Sequence, residues 1–393
     1  MNGGFSVDIP ILLGGVLLAV GVVATGAAAR YRVPALLLFL GLGMLVADDG
    51  LALVRFDDYR LAQNMAVVAL AVILFEGGLA TDSAAVRSAA VPTAVLATVG
   101  VAITGGVVAL IASLVFDLSA TTALLLGAVV ASTDAAAVFS ALRAERMPSR
   151  VRALLQLESG GNDPVAVLLT VGVVEAWRTS PSAGDWVLFG VRQIAGGMAV
   201  GIVVGSIAVW LLRRTTLTER TSSGVLSLGV GGVAYGAAAV MGGSGFLAVY
   251  LSGLMLARQP KVVQGVRGFH EGLAAVAQAM LFLLLGLLVF PSQLWDVTPE
   301  ALVVTATLVF VARPLAVSLC LPLFGFRKNE LVLVAWAGLR GAVPVVLATI
   351  PLTAGHPDGQ LVFDAAFVTV VISVAVQAPT VSLLTRRLGF AAT

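Results

Sequence analysis

Charge is what this sequence has least of. Asp, Glu, Lys and Arg make up 11% of its 393 residues, against about a quarter in an ordinary soluble domain. With 59% hydrophobic residues and a mean hydropathy of +1.04, a soluble globular fold is excluded, because it would have no place to hide that much apolar surface. The single cysteine, Cys320, excludes an intrachain disulfide and leaves the redox compartment unreadable. Only two histidines occur, His270 and His356. Both fall in expected connections between apolar runs, where histidines are mostly solvated. The N-terminus lacks the basic segment of a signal peptide, and the positive charge comes after the first apolar run, at Arg30 and Arg32. That order reads as a first spanning helix with its N-terminus outside.

What is present is a series of apolar runs, each near the roughly 20 residues that cross a bilayer. The chain reads as an all-α polytopic membrane protein with about thirteen spans, near 9–28, 33–47, 61–80, 89–115, 119–142, 151–176, 186–212, 222–241, 244–257, 269–290, 299–322, 329–352 and 361–385. Charge asymmetry supports that count. Most basic residues, among them Arg30, Arg32, Arg87, Arg143, Arg146, Arg150, Arg152, Arg213, Arg214, Arg220, Arg258, Lys261, Arg267, Arg327, Lys328, Arg386 and Arg387, then fall on connections of one side. Only Arg55, Arg60, Arg178 and Arg192 fall on the other. By the positive-inside rule the C-terminus is cytoplasmic. The outside connection at 48–60, with Asp48, Asp49, Asp57 and Asp58, reads as a solvated loop.

A few charges remain inside apolar runs: Glu76, Asp134, Glu158, Asp163, Arg313 and Arg340. Each costs at least about 2.5–3.5 kcal/mol near the bilayer centre on insertion scales. Four acids cannot all pair with two arginines. A surplus carboxylate in a membrane is either protonated or holding a cation, so the imbalance points to ion or proton handling.

Glu158-Ser159-Gly160-Gly161-Asn162-Asp163-Pro164 is the most informative segment. On a helix Ser159 and Asp163 share a face, so a hydroxyl and a carboxylate can converge on one ion. Glu158 and Asn162 form a second stripe about 100° around, better placed for a partner on another helix. Gly160-Gly161 permit close backbone approach, and Pro164 leaves the Gly160 carbonyl without its helical donor. Ser132-Thr133-Asp134 and Gly338-Leu339-Arg340-Gly341-Ala342-Val343-Pro344 each interrupt an apolar run. The expected breaks lie near 132–135 and 338–344, on helices of opposite direction. Such a pair marks a midplane site between inverted repeats.

Together these three motifs resemble the NhaP-type monovalent cation/proton antiporters, relatives of the animal sodium/proton exchangers. Ser132-Thr133-Asp134-Ala135-Ala136-Ala137-Val138-Phe139-Ser140 and Phe56-Asp57-Asp58-Tyr59 most resemble the potassium/proton antiporter branch. The similarity runs from the first span to the last.

The resemblance implies a secondary antiporter of a bacterial or archaeal inner membrane, exchanging H⁺ for Na⁺ or K⁺ (or Li⁺). It implies a homodimer whose dimerisation side is 1–88 and 213–290 and whose ion-translocating core is 89–180 and 299–388, crossed by the two discontinuous helices. Asp163 would bind cation or proton competitively, with Asp134, Ser159 and the Thr133 carbonyl as further Na⁺ or K⁺ ligands. Asn162 stands where electrogenic relatives carry a second aspartate, which implies electroneutral one-for-one exchange. Glu158 would pair with Arg313, Arg340 would steady the second break, and Glu76 would approach the site from the third helix. Partners would be monovalent cations, protons and membrane lipid, with no cofactor and no nucleic acid. Relatives of the potassium branch continue into a cytosolic domain; this sequence stops at Thr393, either because it is truncated there or because this member lacks such a domain. No soluble regulatory domain is therefore expected within 1–393, and no such regulation is implied. Two other functions remain as alternatives. A cation channel would use the same carboxylates. An intramembrane protease would need Gly243-Ser244-Gly245 to supply a nucleophile, with no histidine in a spanning helix to activate it.

Overall fold

A computed structural model describes residues 8–28, 34–56, 58–81, 83–134, 147–179, 182–214 and 220–390. The motif residues Ala135–Ser140, together with Arg30, Arg32, Asp57, Arg143 and Arg146, lie outside the described residues, as do the side chains of Arg87, Arg220 and Lys261.

The described chain is helical, with no strand. In order the helices are α1 (Asp8–Ala28), α2 (Ala35–Val46), α3 (Tyr59–Ala80), α4 (Ser83–Val95), α5 (Val101–Val115), α6 (Ala120–Val130), α7 (Ser149–Thr179), α8 (Ala183–Arg214) and α9 (Arg220–Val240). There follow α10 (Gly245–Ala257), α11 (Pro260–Leu287), α12 (Pro291–Thr307), α13 (Arg313–Cys320), α14 (Lys328–Trp336), α15 (Ala342–Thr353), α16 (Gly359–Ile372) and α17 (Ala378–Arg387). Among the described residues, seven segments are long and apolar enough to cross a membrane and five more apolar helices are shorter. The 31-residue α7 carries the polar motif and is less apolar than either group.

Local chemistry starts several of these helices. The side chains of Asp58, Ser119 and Ser244 accept backbone N–H bonds from Leu61, Thr122 and Leu247 at the first turns of α3, α6 and α10. Pro260 and Pro291 open α11 and α12, where a missing N–H costs nothing. For that reason α11 begins some nine residues before the expected 269. His270, expected in a connection at the edge of the 269–290 run, therefore lies well inside a helix. It is buried against Ser227 (Nε2 to Oγ 2.7 Å) between the rings of Phe75 and Phe269. His356 is in a loop as expected, yet it too is buried, against Trp177. The expectation of two solvated histidines fails because aromatic neighbours from distant helices cover both.

Three π turns, Leu96–Gly100, Leu308–Ala312 and Ser373–Gln377, join α4 to α5, α12 to α13 and α16 to α17. Such insertions redirect a helix and recur at functional sites. Large apolar side chains such as Val23, Leu114 and Val240 are exposed, as a surface in contact with lipid tails allows.

Helices α1–α3 and α8–α11 pack chiefly against one another, and α4–α7 with α12–α17 form a second set. The sets meet where α3, α10 and α11 touch α7 and α15. The site lies along that seam.

Candidate functional site

Helix α6 stops at Val130, and Ser132, Thr133 and Asp134 are non-helical; α14 stops at Trp336 and α15 resumes at Ala342. The two breaks lie against each other. Asp134 N–H donates to the Leu339 carbonyl at 2.8 Å, and Arg340 Nη1 donates to the carbonyls of Ala131 and Ser132 at 3.0 and 2.6 Å. A helix C-terminus leaves unsatisfied carbonyls and a partial negative charge. The Arg340 guanidinium, 1% exposed, answers both.

Contacts at the two ends fix the direction of the crossing. Thr122 at the start of α6 donates to Asp358, just past α15, at 2.7 Å. Arg150 at the start of α7, beyond the first break, pairs with Glu330 at the start of α14. The start of one broken segment thus lies by the end of the other, so they run antiparallel.

The α7 motif lies against the first break. Ser159 Oγ donates to the Thr133 carbonyl at 2.8 Å, and Asn162 Nδ2 donates to Thr133 Oγ1 at 2.6 Å. The two expected stripes are therefore less separate than helical spacing implies. Thr133 offers its carbonyl to one stripe and its hydroxyl to the other, which brings Asn162 to the broken segment rather than to the partner of Glu158. Glu158 instead meets Arg313 in a two-armed pair, Oε1 to Nη1 at 2.5 Å and Oε2 to Nη2 at 2.8 Å. Both are buried, 1% and 3% exposed. Despite Pro164, α7 continues unbroken to Thr179.

Asp163 is 3% exposed, and its Oδ1 accepts no hydrogen bond among the described residues. It lines a cavity of about 510 Å³ that also reaches Asp134, Ser159 and, from α3, Glu76. An exposed pair from α11, Arg267 Nε and Glu271 Oε1 at 2.7 Å, also lines the cavity. The oxygens of Asp163, Asp134 and Ser159 form a donor set suited to a hard cation, which prefers oxygen to nitrogen or sulfur. Two close approaches shape the site. A Cβ at Gly341 would overlap the Asp134 carboxylate, and one at Gly160 would overlap the ring of Tyr250.

The structure thus gathers Asp163, Asp134, Ser159 and Glu76 on one cavity, with Asn162 and Thr133 behind them, and places Glu158–Arg313 and Arg340 outside it as supports. Sequence reasoning missed three features. Tyr250, over Gly160, gave no signal beyond being an isolated aromatic. Ser373 and Gln377 hold the second break: Arg340 N–H donates to Ser373 Oγ at 2.8 Å, Ser373 Oγ to Gln377 Oε1 at 2.9 Å, and Gln377 Nε2 to the Trp336 carbonyl at 2.6 Å. Asp364 is a further buried carboxylate, 3% exposed and bonded by Gln360 Nε2 at 3.0 Å; its position inside the 361–385 run was the available signal.

The fold and the site define a polytopic membrane transporter with two crossed, broken helices, a buried carboxylate, Asp163, and a half-buried one, Asp134, on the same cavity. The chain belongs to the sodium/hydrogen exchanger family, whose transmembrane model matches residues 16–387. It is 41% identical to the K(+)/H(+) antiporter NhaP of Alkalimonas amylolytica over 390 residues, which cover 98% of this chain and 67% of that protein. It is 39% identical to the K(+)/H(+) antiporter NhaP2 of Shewanella sp. (strain ANA-3), with 97% of this chain and 67% of that one covered. In fold it is similar to the sodium proton antiporter MjNhaP1 from Methanocaldococcus jannaschii, at TM-score 0.85 and 22% identity over 98% of this chain and 100% of the other. The chain is a cation/proton antiporter, not an enzyme. The channel reading is not favoured, and neither is the protease reading, whose Ser244 is occupied in capping α10.

Proposed function

We propose that this chain exchanges one H⁺ for one K⁺ by alternating access, with Asp163 holding either the cation or the proton. The observation that carries this reading is the buried Asp163 carboxylate, with an oxygen that no described residue satisfies, on a cavity shared with Asp134 and Ser159. A desolvated carboxylate favours its neutral form, and a bound cation favours the charged form. One group can therefore take either ligand but not both well. Relatives about 40% identical are named K(+)/H(+) antiporters, which supports K⁺ over Na⁺. Asp163, Asp134, Ser159 and the Thr133 carbonyl are the cation ligands in this reading, with Glu76 reaching the ion from α3. Asn162 is a neutral neighbour, so a single carboxylate changes partner per cycle and no net charge moves.

Helices α4–α7 and α12–α17 act as the moving core and the remaining helices as the dimerising side of a homodimer. The excess of arginine on one set of connections supports an N-terminus outside and a C-terminus in the cytoplasm of a bacterial or archaeal inner membrane. The experiment is dissipation of a pH gradient in proteoliposomes, with K⁺, Na⁺ and Li⁺ added separately, with and without a clamped potential. K⁺-dependent dissipation that is indifferent to the clamp is expected. A rate that follows the potential would overturn one-for-one exchange, and a response to Na⁺ alone would overturn the choice of ion.

A further inference from the structure

An apolar groove runs along the outer face of the second set of helices, away from the carboxylate cavity. It consists of two adjoining cavities of about 360 and 150 Å³ that share Val309, Phe310 and Trp336. The groove lies between the π turn Leu308–Ala312, helix α14 and the α16–α17 segment. Its walls are apolar and open: Phe310 is 65% exposed, Val376 59% and Leu383 51%. The Trp336 indole N–H is satisfied on the groove wall, donating to Thr380 Oγ1 at 3.0 Å, and the ring lies beside Phe310. Lining residues extend from Ile372 to Arg387, about 22 Å along the helices at 1.5 Å per residue. One leaflet is roughly 15 Å deep, half of a 30 Å hydrocarbon core. An extended acyl chain therefore fits the groove lengthwise.

One end of the groove is positive. Arg387 lines it and is exposed. Helix α14 begins beside this end, where Asn329 Nδ2 donates to the Leu388 carbonyl at 3.2 Å, and it brings the exposed Arg327 and Lys328 with it. Glu330, the acid of that turn, is buried; it is bonded by Arg150 and by the Arg327 backbone N–H. That leaves Arg387 and Lys328 as the cations at this end with no carboxylate bonded to them among the described residues. A second copy of this chain does not suit the groove. A two-fold contact in one membrane would set Arg387 against its own copy at the same depth. An apolar slot of leaflet length that ends in exposed cations suits a lipid with a negative headgroup.

We propose that this groove is a binding site for an anionic phospholipid, with an acyl chain over Phe310 and Trp336 and the phosphate on Arg387. The site adjoins the second break, since Gln377, on the groove wall, holds the Trp336 carbonyl. The inference does not depend on which cation is exchanged.

The test uses the full chain in phosphatidylcholine vesicles that contain a growing fraction of dibrominated phosphatidylglycerol or dibrominated phosphatidylcholine. Bromine quenches an indole it touches, and the contribution of Trp336 is the difference between the unmodified chain and Trp336→Phe. Half-quenching is expected at an about fivefold lower fraction of phosphatidylglycerol than of phosphatidylcholine, the worth of one basic group at a membrane surface. Arg387→Gln should bring that ratio close to one, and Arg387→Lys should retain it. Ala306→Phe, which fills the groove without changing charge, should reduce the quenching of Trp336 by both lipids. Equal half-quenching fractions in the unmodified chain, or a preference that survives Arg387→Gln, would overturn the proposal.

Discussion

Arg340 donates from a single nitrogen to the carbonyls of Ala131 and Ser132, 209 and 208 residues away in the chain. The C-terminal end of one broken helix is thereby held by the other, and Asp134, two residues past Ser132, is fixed on the cavity. Replacing Arg340 by Gln removes the charge and shortens the reach. The two buried carbonyls would then cost about 1–3 kcal/mol each. Exchange is expected to fall sharply and the unfolding temperature in detergent to drop together. Full exchange by Arg340→Gln would separate the clamp from transport.

Asp163→Asn should abolish cation-dependent proton release while the protein still purifies as a folded species. In the proposed cycle its carboxylate is the group that changes partner, and an amide, which does not titrate at neutral pH, cannot trade a proton for a cation. Proteoliposomes measure this directly. Exchange above the rate of empty vesicles would refute the site assignment.

Glu158 and Arg313 predict a non-additive stability pattern. Removing either partner alone leaves a buried charge and should cost about 3–5 kcal/mol, whereas replacing both by Leu should cost much less, because the expense of desolvating the pair disappears as well. Thermal unfolding of the two single variants and the double variant closes the cycle. Additive losses would mean that the pair is not a unit.

Gly341→Ala places a methyl group where the Asp134 carboxylate lies. Asp134 must move, and displacement by about 1 Å at a binding site costs up to about a hundredfold. The apparent KM for the cation is expected to rise at least tenfold with little loss of stability. An unchanged KM would remove Asp134 from the ligand set.

The proposed competition at one carboxylate also predicts a pH dependence. As pH falls, the protonated form of Asp163 gains, so the cation must displace a proton and apparent KM rises. The limit is roughly tenfold per pH unit for a single shared group. The maximal rate at saturating cation should change much less. A KM independent of pH, measured with the same proteoliposomes, would indicate separate proton and cation sites.

The class of protein was legible in the sequence because membrane insertion is read locally. Runs of about 20 apolar residues, few charges and arginines gathered on one set of connections do not depend on how helices pack. The two breaks, expected near 132–135 and 338–344, were legible for the same reason, as Ser, Thr, Gly and Asp weaken a helix wherever it sits. The second ends earlier than expected, at Gly341, because Pro344 falls in the first turn of a helix that begins at Ala342, where its missing N–H costs nothing. The surplus of acids over bases pointed to Asp163 before any contact was known. Other features depended on the meeting of distant segments. Asn162 belonged by spacing to the stripe of Glu158, yet Thr133, reaching it from the broken segment, draws it toward the site. His270 and His356 read as surface residues until the rings of Phe75, Phe269 and Trp177 enclosed them. Asp134 has its place only because Gly341, over 200 residues on, leaves room for its carboxylate. Periodicity and charge are properties of a segment and determined the membrane class and the candidate acid. Which oxygens share a cavity is a property of the packed helices, and the tertiary structure alone decided it.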